Sequence, residues 1–125
     1  MKYKITELLG DGISAELATA VRTVVARLPI EIEFEPIDLS LGNRQARGLA
    51  IYDDAAEAMH RNRFTLKYPT TTAKESPNAI LRQRCQFSVI HRPVATIPGV
   101  PTNFRGQLAL NIVRVATGGT RAAVL

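Results

Sequence analysis

The spacing of apolar and polar positions changes period several times along the chain, and each change marks an element. Residues 2–9 alternate as a half-buried strand does. Gly10-Asp11-Gly12 then turns the chain into a helix with Ser14 as candidate cap, and the stripe Leu17, Val21, Val24, Leu28 follows helical spacing to about Arg27, where Pro29 ends it. The stretch 30–37, IEIEFEPI, alternates apolar with acidic residues. That is the mark of a strand with one wet face, and Pro36 suits an edge strand. A loop is expected next. Asp54 and Glu57 have capping-box spacing for a short helix ending near Arg61, and 64–67 reads as a short third strand. Ser76 followed by Pro77 predicts a further helix start, with serine as N-cap and proline where its missing N–H costs nothing. Strands are expected at 87–94 and 108–116, separated by the turn-rich IPGVPTNFRG, and Gly118-Gly119 before TRAAVL predicts a frayed or partner-dependent end. Alternating strands and helices of these lengths predict an α/β fold: a single layered domain over residues 1–125 with a largely parallel sheet.

Composition narrows the class. At 125 residues and 46% hydrophobic, the chain can bury one core and little more. No run of about 18 apolar residues exists to span a bilayer. The first residues reach a glycine turn before any signal-peptide apolar region develops, so a soluble cytoplasmic protein with no membrane partner is expected. Cys85 is the only cysteine, which excludes an intramolecular disulfide, and with His60 and His91 it makes no metal-ligand spacing. A buried structural thiol is its expected role. Charge is segregated: all eleven acidic residues lie within positions 1–75, whereas 76–125 carries Arg82, Arg84, Arg92, Arg105, Arg114 and Arg121 and no carboxylate. Arginine outnumbers lysine twelve to four, which favours planar, bidentate recognition of carboxylate or phosphate. The basic residues stand singly, without a lysine run or interleaved aromatics, so nucleic acid is the less favoured partner.

The candidate chemistry centres on residues 76–93. Asn78 and Arg82 are four apart on one helical face, and Arg92 returns on the next strand, so an amide and two guanidinium groups can converge near a helix N-terminus, where carboxylates bind well. The alternative is a solvated arginine face beside an ordinary cap. Gly10 to Ala15 fits the loose dinucleotide fingerprint after a strand, but a glycine-enabled turn explains the same residues without a ligand. No Walker lysine follows. Thr70-Thr71-Thr72 offers three hydroxyls that a phosphate or ribose would accept, or is simply a polar connection. Neither histidine neighbours a nucleophile in a triad pattern, and no paired aspartates suggest a divalent metal site.

Six blocks, GDGISAEL, IEFEPID, LKYPTTT, SPNAILRQR, RPVATIPGVPTNF and NIVRVATGG, in this order and spacing, resemble the N-terminal part of the isocitrate and isopropylmalate dehydrogenases, the NAD(P)-dependent decarboxylating β-hydroxyacid dehydrogenases. The resemblance covers nearly the whole chain. It implies the first part of that family's large domain, and it implies that Ser76, Asn78, Arg82, Arg92 and Arg114 match the serine, asparagine and three arginines that grip the substrate's carboxylates. It further places Ile13 and Thr70, Thr71 and Thr72 at the cofactor. The departures point the other way. Arg114-Val115-Ala116-Thr117-Gly118 replaces the family's arginine-glutamate-asparagine-threonine-glutamate, Arg121 stands at the catalytic tyrosine, Tyr68 replaces the glycine of K-G-P, where its ring is expected to crowd the cofactor loop, and Ser14-Ala15 replaces Gly-Pro. The family's catalytic lysine and metal-binding aspartates come from segments outside these residues.

The resemblance with these departures implies a non-catalytic relative that retains a site for a small di- or tricarboxylate, with no cofactor expected for the isolated chain; NAD(P) and magnesium or manganese enter only through the family. Self-association or a partner protein is expected to cover exposed sheet edges. Two alternatives stay open: a component of an NAD(P)-dependent dehydrogenase that is active only with a partner chain, and an interaction protein that binds a macromolecular complex or nucleic acid through its basic C-terminal part.

Overall fold

The computed structural model describes residues 2–104 and 106–116. The chain divides into two compact units, one running to Cys85 and one beginning at Gln86. The first contains β1 (Lys2–Leu9), α1 (Ser14–Val25), β2 (Glu31–Asp38), α2 (Leu41–Arg47), α3 (Ala50–Asn62), β3 (Thr65–Lys67) and α4 (Pro77–Arg84). Its sheet has the order β2-β1-β3, with both pairings parallel. β1 therefore lies in the middle, and its Thr6, Glu7 and Leu8 are fully buried. Strand alternation sends Leu8 to the core formed with Leu39, Ile51, Tyr52, Ala55 and Leu81, and Glu7 to the opposite face of the sheet. Ile51, Tyr52, Ala55 and Ala58 are the buried face of α3. Each large apolar side chain so buried contributes about 1.5–3 kcal/mol relative to exposure.

β2 is an edge strand within this sheet, as Pro36 predicts. Its glutamates make a ladder with β1: Lys2 pairs with Glu31 and Glu33 at 3.4 and 3.1 Å, and Lys4 with Glu33 and Glu35 at 3.8 and 3.1 Å. Glu35 is tied further, because Asn62 Nδ2 donates to it at 2.9 Å and Arg61 at 2.5 Å. The Asn62 amide, then Lys4 and Arg61, hold its carboxyl at about 2, below the ordinary 4.5. A depressed folded-state value stabilises the fold above the unfolded-state value and loses that effect as pH falls through the folded one. Thermal unfolding measured from pH 5 to 2 should therefore show a shallower acid limb for Glu35→Gln than for the parent. Parallel limbs would show that Glu35 does not contribute to the acid response.

Several local expectations need correction. Ser14 does not cap α1: the N-cap position is Ile13, which makes no side-chain cap bond, and Ser14 is the buried first helical residue, whose Oγ accepts from Gly10 N–H at 2.9 Å. Leu17, Val24 and Leu28 are exposed, Val24 by 62%, because α1 has only a three-stranded sheet to pack on and meets it sparingly. The loop expected after β2 contains α2, a polar helix whose anchor is buried Arg44 rather than an apolar stripe. Asp54 and Glu57 make no capping box, since they lie inside α3, which starts at Ala50. Cys85 is half-buried beside Met59, sulfur to sulfur 3.8 Å, and burial raises its thiol's pKa.

The second unit is a hairpin of β4 (Val89–Ala95) and β5 (Ala109–Val115), antiparallel and in a two-stranded sheet of its own. The parallel arrangement is thus confined to β2-β1-β3. Gly99 and Gly106, with φ of 81° and 97°, shape the connection between the two strands. Apolar side chains stand exposed along both strands, among them Val89, Ile112, Val113 and Val115. Among the described residues no helix is long and apolar enough to cross a membrane. The expected frayed end at 118–125 lies outside the described residues.

Candidate functional site

Two loops meet at the carboxyl end of the parallel strands. Gly10 is so close to the loop after β3 that a Cβ there would lie 1.9 Å from the Pro69 carbonyl oxygen, and Asp11 N–H donates to that oxygen at 2.8 Å. Asp11 then acts as a hub. Its carboxylate accepts from the backbone N–H of Leu41 at 2.8 Å and of Thr71 at 2.7 Å, with Arg44 Nη2 at 3.5 Å. Burial pushes the Asp11 carboxyl up, but the two N–H donors and Arg44 outweigh it, so its pKa is lowered. The Arg44 side chain is 2% exposed and closes the cluster: Nε donates to Leu39 O at 2.9 Å and Nη2 to Thr71 O at 2.6 Å. β1, α2 and the threonine loop are thereby locked to one another.

Lys67 Nζ donates to Tyr68 O and to Thr70 Oγ1, both at 2.9 Å. Burial, reinforced by Arg44 and opposed by Asp11, lowers its pKa. The cofactor candidates therefore differ in availability. Ile13 is 59% exposed, Thr72 is exposed, the Thr70 hydroxyl accepts from Lys67, and both backbone polar groups of Thr71 are engaged by Asp11 and Arg44.

Tyr68 does not crowd this loop. Its ring is buried and its hydroxyl donates to Glu7 Oε1 at 3.0 Å, while Arg22 Nη2 meets Glu7 Oε2 at 2.5 Å and the guanidinium lies 4.8 Å from the centre of the Phe34 ring. Burial, then the bond to Glu7, pushes the Tyr68 phenol up to about 12. The bulky side chain is accommodated because β1 provides a buried carboxylate for it on that face.

The anion candidates lie in both units. In the first, Ser76 is the N-cap of α4, its Oγ accepting from Ala79 N–H at 3.4 Å with Pro77 at the first helical position, as the sequence predicts. Asn78 and Arg82 are one turn apart on this helix; Asn78 is exposed and Arg82 half-exposed. In the second unit, Arg114 pairs with Ile90 and Arg92 with Ile112. Residues two apart on a strand share a face, so Arg92 and Arg114 are diagonal neighbours on one side of the hairpin. The opposite side carries the bond between His91 Nε2 and Asn111 Oδ1 at 3.0 Å. Arg22, Arg44, Arg47, Arg61 and Arg84 each pair with a carboxylate, Arg84 with Asp53. Arg82, Arg92 and Arg114 have no such pairing among the described residues.

Residue spacing did not reveal the Asp11–Arg44–Thr71 cluster. The only available signal was an acidic residue between two glycines of a strand-to-helix turn, and its partner lay 33 positions away in a stretch without apolar periodicity.

In open α/β sheets, loops at the carboxyl ends of parallel strands are where ligands bind. In fold the chain matches the crystal structure of an isocitrate dehydrogenase from Ostreococcus tauri, in complex with isocitrate and magnesium(II), at a TM-score of 0.74 and 21% identity, covering 98% of this chain and 33% of that one. No family model matches the chain. In sequence it is 31% identical over 126 residues to subunit 1 of the mitochondrial NAD isocitrate dehydrogenase of Ajellomyces capsulatus, covering 94% of this chain and 32% of that one. It is 30% identical over 100 residues to the 3-isopropylmalate dehydrogenase of Methanothermobacter thermautotrophicus, covering 78% of this chain and 30% of the relative. The chain belongs to the isocitrate/isopropylmalate dehydrogenase family. It spans about a third of the length of the curated relatives it matches.

Proposed function

We propose that this chain is a non-catalytic relative of the isocitrate and isopropylmalate dehydrogenases that retains side chains for binding a small di- or tricarboxylate, Ser76, Asn78 and Arg82 in the first unit and Arg92 and Arg114 in the second. The observation that carries the reading is the position of the unpaired arginines: Arg82, Arg92 and Arg114 have no carboxylate partner among the described residues and lie in a stretch, 76–116, that contains no acidic residue, whereas the other unpaired ones, Arg27 and Arg63, lie in the part of the chain that holds all the carboxylates. Charge-assisted, bidentate bonds from guanidinium to carboxylate are the strong polar contacts available to such groups.

Ligand that binds only the folded state raises its stability in proportion to RT ln(1 + [L]/Kd). Citrate or isocitrate at about ten times its dissociation constant should raise the unfolding free energy by about 1.4 kcal/mol, and succinamide, which lacks the charge, should not. An equal response to both compounds, or to neither, would refute the reading.

A second reading, a component completed by another protein or by a second copy, is favoured by the exposed apolar side chains on each unit, such as Val24 on α1 and Val113 on β5. Light scattering across a range of concentrations tests it: mass should rise with concentration or on adding the partner, and a concentration-independent monomer with a cooperative melt would oppose it.

A further inference from the structure

We propose that the outer edge of β5 receives the β5 strand of a second copy of this chain, the two strands pairing antiparallel about a twofold axis at Ile112. The proposal rests on the second reading above, completion by a second copy, and names the edge and the register through which it happens.

In an antiparallel pair each residue turns both of its backbone groups either toward the partner strand or away from it, in alternation. Ala116 N–H donates to Ser88 O and Thr96 N–H to Leu108 O, each at 2.9 Å, and both bonds continue the register of the hairpin at its ends. The even-numbered residues therefore bond across the hairpin, and the odd-numbered ones turn their N–H and C=O outward. On β4 the outward set includes Pro93, which has no N–H, so that edge is broken near its centre. On β5 the outward residues are Ala109, Asn111, Val113 and Val115, each with both groups. Among the described residues β5 pairs with β4 alone. The hairpin thus has one edge fit to accept a strand and one that proline blunts against it.

The sequence of β5 suits a copy of itself. Paired about Ile112, two β5 strands overlap over their full length, Ala109 facing Val115 and Asn111 facing Val113 of the other copy, so that each outward N–H and C=O finds a partner. Arg114 then lies opposite Leu110 of the other copy, whose exposed side chain its methylene stem can cover, and the two guanidinium groups stand at opposite ends of the pair. No like charges face each other across the strands. With one competent edge per copy, the contact is isologous and closes as a dimer instead of growing into a fibre. A lone two-stranded hairpin is marginal in water, and pairing doubles the width of the sheet while drawing together apolar side chains that each copy exposes, Ile112 by 47% and Val113 by 67%.

Val113→Pro removes an outward N–H from β5, as Pro93 does on β4, and leaves the bonds between β4 and β5 intact, which the NMR spectrum of the variant verifies. In sedimentation equilibrium of the full chain, the parent's mass should rise toward that of a dimer with concentration, whereas Val113→Pro should stay monomeric. Hydrogen exchange of the parent tests the same edge without a substitution. At about ten times the dissociation constant, where about a fifth of the chain is still monomeric, the Asn111 and Val113 amides should exchange about fivefold more slowly than in dilute protein. Concentration-independent exchange at these two amides, fast or slow, would overturn the proposal. A parent that still dimerises as Val113→Pro would place self-association elsewhere and overturn the edge alone, and a parent that is monomeric at every concentration would overturn both the edge and the second-copy reading beneath it.

Discussion

Arg44→Ala is expected to lower the unfolding free energy by about 3–5 kcal/mol, more than any other single substitution in the loop cluster. The side chain is almost wholly buried, and its loss strands several groups at once. The carbonyl oxygens of Leu39 and Thr71 lose their donors, and the Asp11 carboxylate loses its ion-pair partner. A buried polar group left without a partner costs about 1–3 kcal/mol, and a charge costs more. Arg44→Met keeps most of the volume and should still lose most of the stability, because the missing quantity is hydrogen bonding rather than packing. Urea unfolding followed by circular dichroism measures both. A loss below about 1 kcal/mol for either variant would show that water replaces the guanidinium and that the cluster does not hold the loops together.

Gly10→Ala should cost about 3 kcal/mol, the upper part of the range for overpacking. The obstacle is backbone: the new methyl would sit 1.9 Å from the Pro69 carbonyl oxygen, which also accepts the Asp11 N–H, so the two loops must separate and weaken that bond. Gly12 provides the contrast. Its φ is +60° but nothing lies within 4 Å of a Cβ there, so Gly12→Ala carries only the left-handed penalty of about 1–2 kcal/mol. If the two variants lose equal stability, the close approach of the loops is not what demands Gly10.

The elements that sequence spacing located well are those governed by local rules. β1 follows alternation, β3 falls within the short strand expected at 64–67, and α4 follows its Ser76-Pro77 start, because strand pleat and helix capping act over a few residues. α2 escaped because its anchor is a buried arginine, and hydrophobic periodicity has no term for a charged residue that satisfies distant carbonyls. The capping box at Asp54 failed for a related reason: helix α3 begins four residues earlier, where Ile51 and Tyr52 enter the core, and tertiary burial overrides a local capping signal. Tyr68 shows the same limit at the site. Its replacement of a glycine reads as an obstruction until Glu7, 61 positions away, is seen to receive its hydroxyl. The spacing of Asn78 and Arg82 does give their common helix, and the pairing of β4 with β5 adds what spacing lacked, namely that Arg92 and Arg114 share a face.

Calorimetric titration of citrate, isocitrate and 3-isopropylmalate into the purified chain at low ionic strength, repeated with Arg82→Ala and Arg92→Ala, tests the proposed carboxylate site most directly. Contacts worth roughly 1 kcal/mol each, all partly open to water, predict a dissociation constant on the order of tens of micromolar to millimolar. Binding should weaken as salt is added, and each alanine variant should lose most of it. Absence of binding by all three acids, or unchanged binding by both variants, would contradict the proposed site.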